Sequence, residues 1–121
     1  PQSYVGRAPG LSTRLFLRLG KKPYDTLCHL VYPASTPWHG TSATDLILTS
    51  NEGKEVAKQK IAIPCSGSHF WKVSETFTPE QLNAAGEGGY VVVRDVTCRL
   101  FGYHGLLNSD KAFCIDHMFG F

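Results

Sequence analysis

The sequence predicts an all-β fold, an antiparallel β-sandwich or small barrel of about eight strands with one short helix. Short runs rich in β-branched and aromatic residues recur along the chain, and turn residues separate them about every eight to twelve positions. The chain has 121 residues, of which 42% are hydrophobic and 18% are charged. That length and composition are typical of one domain with its own hydrophobic core.

The strands are predicted from runs that end at glycine, proline or clustered polar residues. We expect residues 1–13 to form an N-terminal arm and residues 14–121 to form a single sandwich domain. The last two runs before the C-terminal strand, 90–94 and 97–103, are predicted to pair with each other. In order, the predicted strands are 14–19, 26–32, 45–49, 55–63, 69–73, 90–94, 97–103 and 112–119.

The helix is predicted from its boundary residues. Thr78 is a good N-cap, Pro79 suits the first helical position, and Gln81 stands three residues after the cap. Gly86 provides a C-terminal stop. We therefore expect a short helix between Thr78 and Gly86.

Two segments are predicted as open loops. Residues 33–43 (PASTPWHGTSA) contain two prolines, a glycine and several hydroxyls, and residues 105–110 contain glycine, asparagine and serine. The segment 65–69 (CSGSH) brings a thiol, hydroxyls and an imidazole close in sequence. Its order does not match a nucleophile elbow, so we interpret it as a turn.

The four cysteines have no zinc or redox spacing, because the chain contains no Cys-x-x-Cys. Two interpretations stay open: buried thiols that act as small hydrophobes, or two disulfides with three connectivities. The residues concerned are Cys28, Cys65, Cys98 and Cys114.

The net charge and the targeting signals limit the classes of partner and the cellular location that we expect. The net charge of +2 is too small to indicate nucleic acid, and no run of 18 apolar residues predicts membrane insertion. The start lacks the charged and apolar regions of a signal peptide, and no Asn-x-Ser/Thr sequon occurs, which favours a cytoplasmic location. Because no Met begins the chain, we expect it to be processed or excised from a longer protein.

Three stretches carry a family resemblance: TLCHLVY, DLILTSNEGKEVAKQKIAIPCSGSHFWKV and GYVVVRDVTCRLFGYHGL. Their strand pattern, with a proline after the fourth strand, resembles the small β-sandwich family that includes the soluble sensory-rhodopsin transducers. The resemblance covers roughly residues 26–107. It implies a small binding or signalling module without catalysis, and it assigns no functional residue.

Aromatic and histidine residues in loops are the predicted binding site. Trp38 and His39 lie in an otherwise small, polar segment, and Tyr103 and His104 form a second cluster. If both segments meet at one end of the sandwich, these four residues form one surface for a carbohydrate, a peptide or a partner protein. The other interpretation of Trp38 is that it folds back to cap the sandwich.

The alternative function is a small metal-binding β-barrel enzyme or sensor. Its ligands for a divalent metal ion would be His29, His104 and His117, although no His-x-His pair or other metal spacing supports them. The other interpretation is that these histidines are scattered at the surface or at the edge of the core and form no common site. A buried Asp116 would be a functional candidate, but we favour an exposed edge strand on which Asp116 deters pairing with another sheet.

Taken together, these patterns favour a non-catalytic recognition module without a cofactor. A homo-oligomer with paired edge strands also fits the sequence.

Overall fold

The computed structural model describes residues 12–19, 25–33, 40–108, 111–117 and 119–120. The described chain contains nine strands and two short helices. They are β1 (Thr13–Arg18), β2 (Asp25–Val31), β3 (Thr44–Thr49), β4 (Glu55–Ile61), β5 (Ser68–Lys72), α1 (Val73–Thr76), α2 (Pro79–Ala85), β6 (Tyr90–Asp95), β7 (Phe101–Asn108), β8 (Lys111–His117) and β9 (Phe119–Gly120).

The strands pair into two antiparallel sheets, so the fold is all-β and sandwich-like, and the small-barrel alternative is wrong. One sheet has the order β4-β3-β6-β1-β9 and the other has the order β5-β2-β7-β8. The predicted count of about eight strands is one short. The run at 112–119 is divided, because β8 pairs with β7 while β9 pairs with β1 in the other sheet.

The hydrophobic core lies between the two sheets. Alternate residues of β3 and β6 face buried residues of β2 and β5, as the two-residue period of a strand requires. Removal of this apolar surface from water is the main force that holds the sheets together. The buried contributors include Leu17, Leu46, Leu48, Val91 and Val93 from one sheet and Cys28, Leu30 and Trp71 from the other.

The predicted helix is confirmed as α2. The Thr78 side chain accepts a hydrogen bond from the Gln81 backbone N–H at 3.2 Å, and the Thr78 backbone N–H donates to the Gln81 side chain at 2.9 Å. Pro79 is its first residue. Gly86 follows the last turn with φ of 77°, a conformation that favours glycine.

The sequence predicted one helix, but the described part of the chain has two. The additional helix is α1. The fifth strand ends at Lys72, and buried Val73 begins a single helical turn. Its geometry is held by Asp25 of β2, whose carboxyl accepts hydrogen bonds from the backbone N–H and hydroxyl of Ser74. This contact joins residues 49 positions apart, so local patterns do not reveal it.

Two predictions about the C-terminal half are wrong. The run 97–103 does not pair with 90–94: β6 pairs with β1 and β3, whereas β7 belongs to the other sheet and pairs with β2 and β8. Residues 96–100 form the crossover between sheets. The open loop predicted at 105–110 is strand as far as Asn108, which pairs with Lys111.

The crossover is organised by the buried side chain of Asp95, which is 1% exposed. Its carboxyl accepts hydrogen bonds from the Thr44 hydroxyl at 2.8 Å and from the Cys98 backbone N–H at 3.0 Å. It also accepts from the backbone N–H and the hydroxyl of Thr97, at 2.7 and 2.6 Å. A buried carboxyl is tolerated only with such partners.

The hydrogen bonds continue on both sides of Asp95. Thr44 donates its only hydroxyl proton to Asp95, so in its contact with Ser42, at 2.8 Å, Thr44 is the acceptor. The Ser42 hydroxyl in turn accepts a hydrogen bond from the backbone N–H of Ile63 at 2.9 Å. On the other side, Thr13 donates to the carbonyl of Cys98 and accepts from the N–H of Leu100, both at 2.7 Å. The crossover is thereby fixed to β1 and β3. Thr13, expected in the N-terminal arm, is the first residue of β1 and is buried.

We expect Asp95→Ala to lower the free energy of unfolding by about 3 kcal/mol or more, because it leaves at least two buried donors without an acceptor. Asp95→Asn retains one acceptor oxygen for the Thr97 and Cys98 N–H groups and should lose less. Urea denaturation measures both, with exposed Glu52→Ala as a control that stays near wild type. Wild-type stability of Asp95→Ala would contradict the role of the carboxyl group.

Candidate functional site

A row of aromatic side chains crosses the outer face of the four-stranded sheet. Cys28 and Trp71 are buried between the sheets, so their chain neighbours His29 and Phe70 lie on the opposite, outer side. In register, Phe70 pairs with His29 and His29 pairs with Tyr103. Directly paired residues share one face of a sheet, so three rings lie side by side on three neighbouring strands.

These rings are unusually exposed for large apolar side chains. Phe70 and Phe101 are each 55% exposed and Tyr103 is 39% exposed. Phe101 lies two residues before Tyr103 on β7, and its register partner Val31 lies on the same face. The aromatic face is defined here as Phe70, His29, Tyr103, Phe101 and Val31. Exposed aromatic side chains grouped on one sheet face make this surface a candidate interaction site.

Two rings of the aromatic face, those of His29 and Phe70, contact each other in a defined geometry. The ring centroids of His29 and Phe70 are 6.3 Å apart, with an interplanar angle of 69°, which is an edge-to-face arrangement. Since neighbouring strands lie ~4.8 Å apart, the strands that carry Phe70 and Tyr103 are ~9.6 Å apart. The face is therefore carried by three hydrogen-bonded strands of one sheet.

The aromatic face carries no acidic, lysine or arginine side chain. The nearest charged register position on β5 is Lys72, which is half-buried and pairs with Leu27 in the next row. Ser68 pairs with Val31 at the other end. Recognition at this surface would therefore depend on ring contacts and a few neutral hydrogen bonds.

The outer face of the five-stranded sheet is different, because its described aromatic residues, Phe16 and Tyr90, are half-buried and contact neighbouring side chains. The Arg14 guanidinium lies over the Phe16 ring, 5.8 Å from its centroid, and the Tyr90 ring lies 6.2 Å from Phe16. Arg94 pairs with Arg14 on the same sheet. The Arg14 side chain thus covers part of the Phe16 ring, whereas Phe70 and Phe101 of the aromatic face are each 55% exposed.

The turn at 64–67 braces one end of the aromatic face. The N–H of Gly67 donates to the carbonyl of Pro64 at 2.7 Å, and the Tyr32 backbone exchanges hydrogen bonds with Ser66 and Gly67 at 2.9 and 3.0 Å. A Cβ atom on Gly67 would lie 2.8 Å from the Pro64 carbonyl oxygen, so the turn requires glycine there. The segment 65–69 is thus a turn that leads into β5, as predicted.

The predicted loop surface is not assembled as expected. Tyr103 and His104 lie inside β7, not in a loop, and consecutive strand residues point to opposite faces. Tyr103 belongs to the aromatic face, whereas His104 pairs with Cys28 on the inner side and is half-buried. Trp38 and His39 lie outside the described residues, so their predicted role stays a prediction.

The structure places two of the three predicted metal ligands, His29 and His104, on opposite faces of the four-stranded sheet. His29 pairs with Tyr103 on the outer face, whereas His104 pairs with the buried Cys28 and therefore lies on the inner face. His117 is the register partner of Tyr103, and Asp116 is that of His104. Within the described side chains, no group of three His, Cys, Asp or Glu residues is arranged to hold a metal ion.

Sequence reasoning missed Phe70, Phe101 and Val31. Alternation along 68–72 separates Phe70 from Trp71, but it does not reveal which of the two faces the core. Phe101 was predicted inside a strand paired with β6, which would have placed it in the other sheet. The pairing of β5 and β7 with β2 decides that Phe70 and Phe101 lie on the outer face of the sheet.

On the inner side, Cys28 and His104 are neighbours but do not form a nucleophilic pair. Cys28 is 0% exposed, and burial raises the pKa of its thiol from 9.0 to about 12, with a contact to the Trp71 indole acting in the opposite direction. Among the described residues, the buried indole N–H of Trp71 has no hydrogen-bond acceptor. A thiol kept protonated is a poor nucleophile. Cys28, Cys65 and Cys98 are thiols rather than disulfides.

Comparison of this chain with protein-family models, curated proteins and solved structures finds no match. None of the helices in the described ranges is long and apolar enough to cross a membrane.

We expect the Cys28 thiol to make stability fall at alkaline pH. The pKa of this thiol is higher in the folded than in the unfolded protein. Its contribution to the free energy of unfolding is therefore fully present below about pH 9 and is lost as the pH rises toward 12, because the unfolded chain then releases the proton first. Between pH 9.5 and 10.5 the free energy of unfolding should fall with a slope that approaches about 1.4 kcal/mol per pH unit. Urea denaturation of wild type and Cys28→Ala measures the difference, and equal pH slopes would contradict this account.

Proposed function

We propose that this protein is a non-catalytic recognition module whose aromatic face binds an extended peptide segment of a partner protein. The observation that carries the proposal is the contiguous row of half-exposed rings on a hydrogen-bonded sheet. Such rings offer a large apolar contact area at small cost in conformational entropy. The family resemblance implies the same class of function and stays a prediction.

The composition of the aromatic face favours a peptide over the other ligand classes. The centres of protein interfaces are depleted of charge and enriched in aromatic residues, as this face is. Binding of single-stranded nucleic acid adds cations along the backbone path, and Lys72 is the nearest described one on β5. A sugar needs several fixed polar groups for its hydroxyls, and here His29 and Tyr103 are the polar members.

The size of the aromatic face favours a short segment over a second folded copy of the chain. Three rings exposed by about half present on the order of 300 Å². A stable interface between folded proteins buries about 800 Å² on each partner. A peptide that extends over the rings can be bound within the smaller area.

The first test pairs Phe70→Ser with Val96→Ser. Both side chains are exposed, at 55% and 63%, but Val96 lies on the crossover, outside the four-stranded sheet that carries the aromatic face. We expect both variants to melt like wild type, within about 0.5 kcal/mol. Dodecapeptides selected from a random phage-displayed library should bind Val96→Ser normally and Phe70→Ser at least about tenfold more weakly, because buried aromatic anchors dominate such interfaces.

Tyr103→Ser should reproduce the loss seen with Phe70→Ser. Selection of no peptide, or equal binding by all variants, would overturn the proposal. An oligosaccharide array probed with the same proteins separates the ligand classes. Oligosaccharide binding that depends on Phe70, without peptide binding, would assign the aromatic face to a carbohydrate.

A further inference from the structure

The outer face of the five-stranded sheet concentrates positive charge. Alternation turns the buried residues of β1, β3 and β6 toward the core, so the residues between them lie on the outer face. Two lysines of β4 join this face, because directly paired residues share one side of a sheet. The cationic face is defined here as five exposed side chains, Arg14, Arg18, Lys58, Lys60 and Arg94.

Few carboxylates balance these cations among the described residues of the same face. Asp45 lies in register between Lys60 of β4 and Arg94 of β6, and it is half-buried. Glu55 stands at the start of β4. Two carboxylates against five cations leave an excess of three positive charges on this face, whereas the whole chain has a net charge of +2. The small net charge of the chain therefore conceals a charged surface.

Two of the cations stand where folding alone disfavours them. Arg14 of β1 and Arg94 of β6 are direct register partners, and both side chains are exposed. Like charges at directly opposite positions of neighbouring strands destabilise a sheet. A carboxylate bound between the two guanidinium groups would offset this repulsion and accept charge-assisted hydrogen bonds from both. The pair therefore favours an anionic partner.

The spread of the cations favours a chain of carboxylates over one small anion. The cations are carried by β1, β6 and β4, and β3 lies between the last two. An anion held between Arg14 and Arg94 would not reach Lys60, whose strand lies ~9.6 Å beyond that of Arg94. A segment rich in aspartate and glutamate contacts several cations at once. Their summed attraction exceeds that of one exposed ion pair, which is small.

Single-stranded nucleic acid fits the cationic face less well than an acidic peptide segment does. Its binding combines cations along the backbone with open rings on which the bases stack. Phe16 and Tyr90, the described rings on this side, are half-buried, and the Arg14 guanidinium lies over Phe16. The more exposed rings of Phe70 and Phe101 lie on the opposite face of the sandwich, so one strand does not contact them and the cations together.

We propose that the cationic face binds an acidic segment of a partner protein, with one carboxylate held between Arg14 and Arg94. This surface is separate from the aromatic face, so the proposal goes beyond the proposed function and does not depend on it. The protein would then carry two binding surfaces of different chemistry on its two outer faces. Binding at the cationic face should weaken as salt is added, because dissolved ions screen exposed charges.

The test uses a fluorescent dodecapeptide in which glutamate and serine alternate, and a matched peptide with glutamine in place of glutamate. By fluorescence anisotropy in about 50 mM salt, wild type should bind the glutamate peptide at least about tenfold more tightly than the glutamine peptide. Arg94→Gln and Arg14→Gln should each weaken that binding about threefold or more. The control Arg99→Gln removes an exposed arginine of the crossover and should bind like wild type.

Two further variants keep the interpretation clear. Arg94→Lys retains the positive charge and should keep most of the affinity for the glutamate peptide. Arg94→Gln should melt no lower than wild type, because it relieves the repulsion from Arg14, so its weaker binding reports on the surface and not on the fold. Phe70→Ser should bind the glutamate peptide normally, which separates this surface from the aromatic face.

Three outcomes would overturn the proposal. Equal weakening by Arg94→Gln and Arg99→Gln would show attraction to the net charge of the chain and not to the cationic face. Equal binding of the glutamate and glutamine peptides would remove the role of the carboxylates. Tighter, Arg94-dependent binding of a thymidine oligonucleotide of equal charge would assign the face to nucleic acid. Each of these results leaves Phe70-dependent peptide recognition standing.

Discussion

The buried carboxyl group of Asp95 is the constraint on which the rest of the structure depends. It holds the five residues that carry the chain from one sheet to the other, through hydrogen bonds to Thr97 and Cys98 and to Thr44 of β3. Because the Thr44 hydroxyl and the Cys98 N–H are buried, loss of the carboxyl would leave these two donors unsatisfied. The position of the crossover fixes where β7 begins, and so places Phe101 and Tyr103 beside β2.

The aromatic face is a consequence of that placement. The two-residue period that directs Cys28, Leu30 and Trp71 into the core necessarily directs their neighbours outward. On the five-stranded sheet, Arg14 and Tyr90 contact the outward Phe16. On the four-stranded sheet, comparable rings meet water. The contrast between two faces of one small domain gives the proposal its physical basis, because folding alone does not require exposed rings.

Local signals in the sequence were reliable where the structure is local. The capping residues Thr78, Pro79 and Gln81 predicted α2 because a helix end is satisfied by residues three positions away. The strand runs were largely correct for the same reason. Pairing of 97–103 with 90–94 was wrong, because the preference for adjacent partners is overruled when a buried group such as Asp95 redirects the chain.

The sequence alone determined an all-β fold, its approximate strand boundaries and its one capped helix, since alternation and capping act over a few residues. The tertiary structure decided the number of sheets, the partners of β7 and the side of each strand that meets water. It also separated His104 from His29 and brought Phe70 next to His29, although the latter two are 41 positions apart in the sequence. Register between distant strands depends on which faces exclude water together, and no short stretch of sequence contains that information.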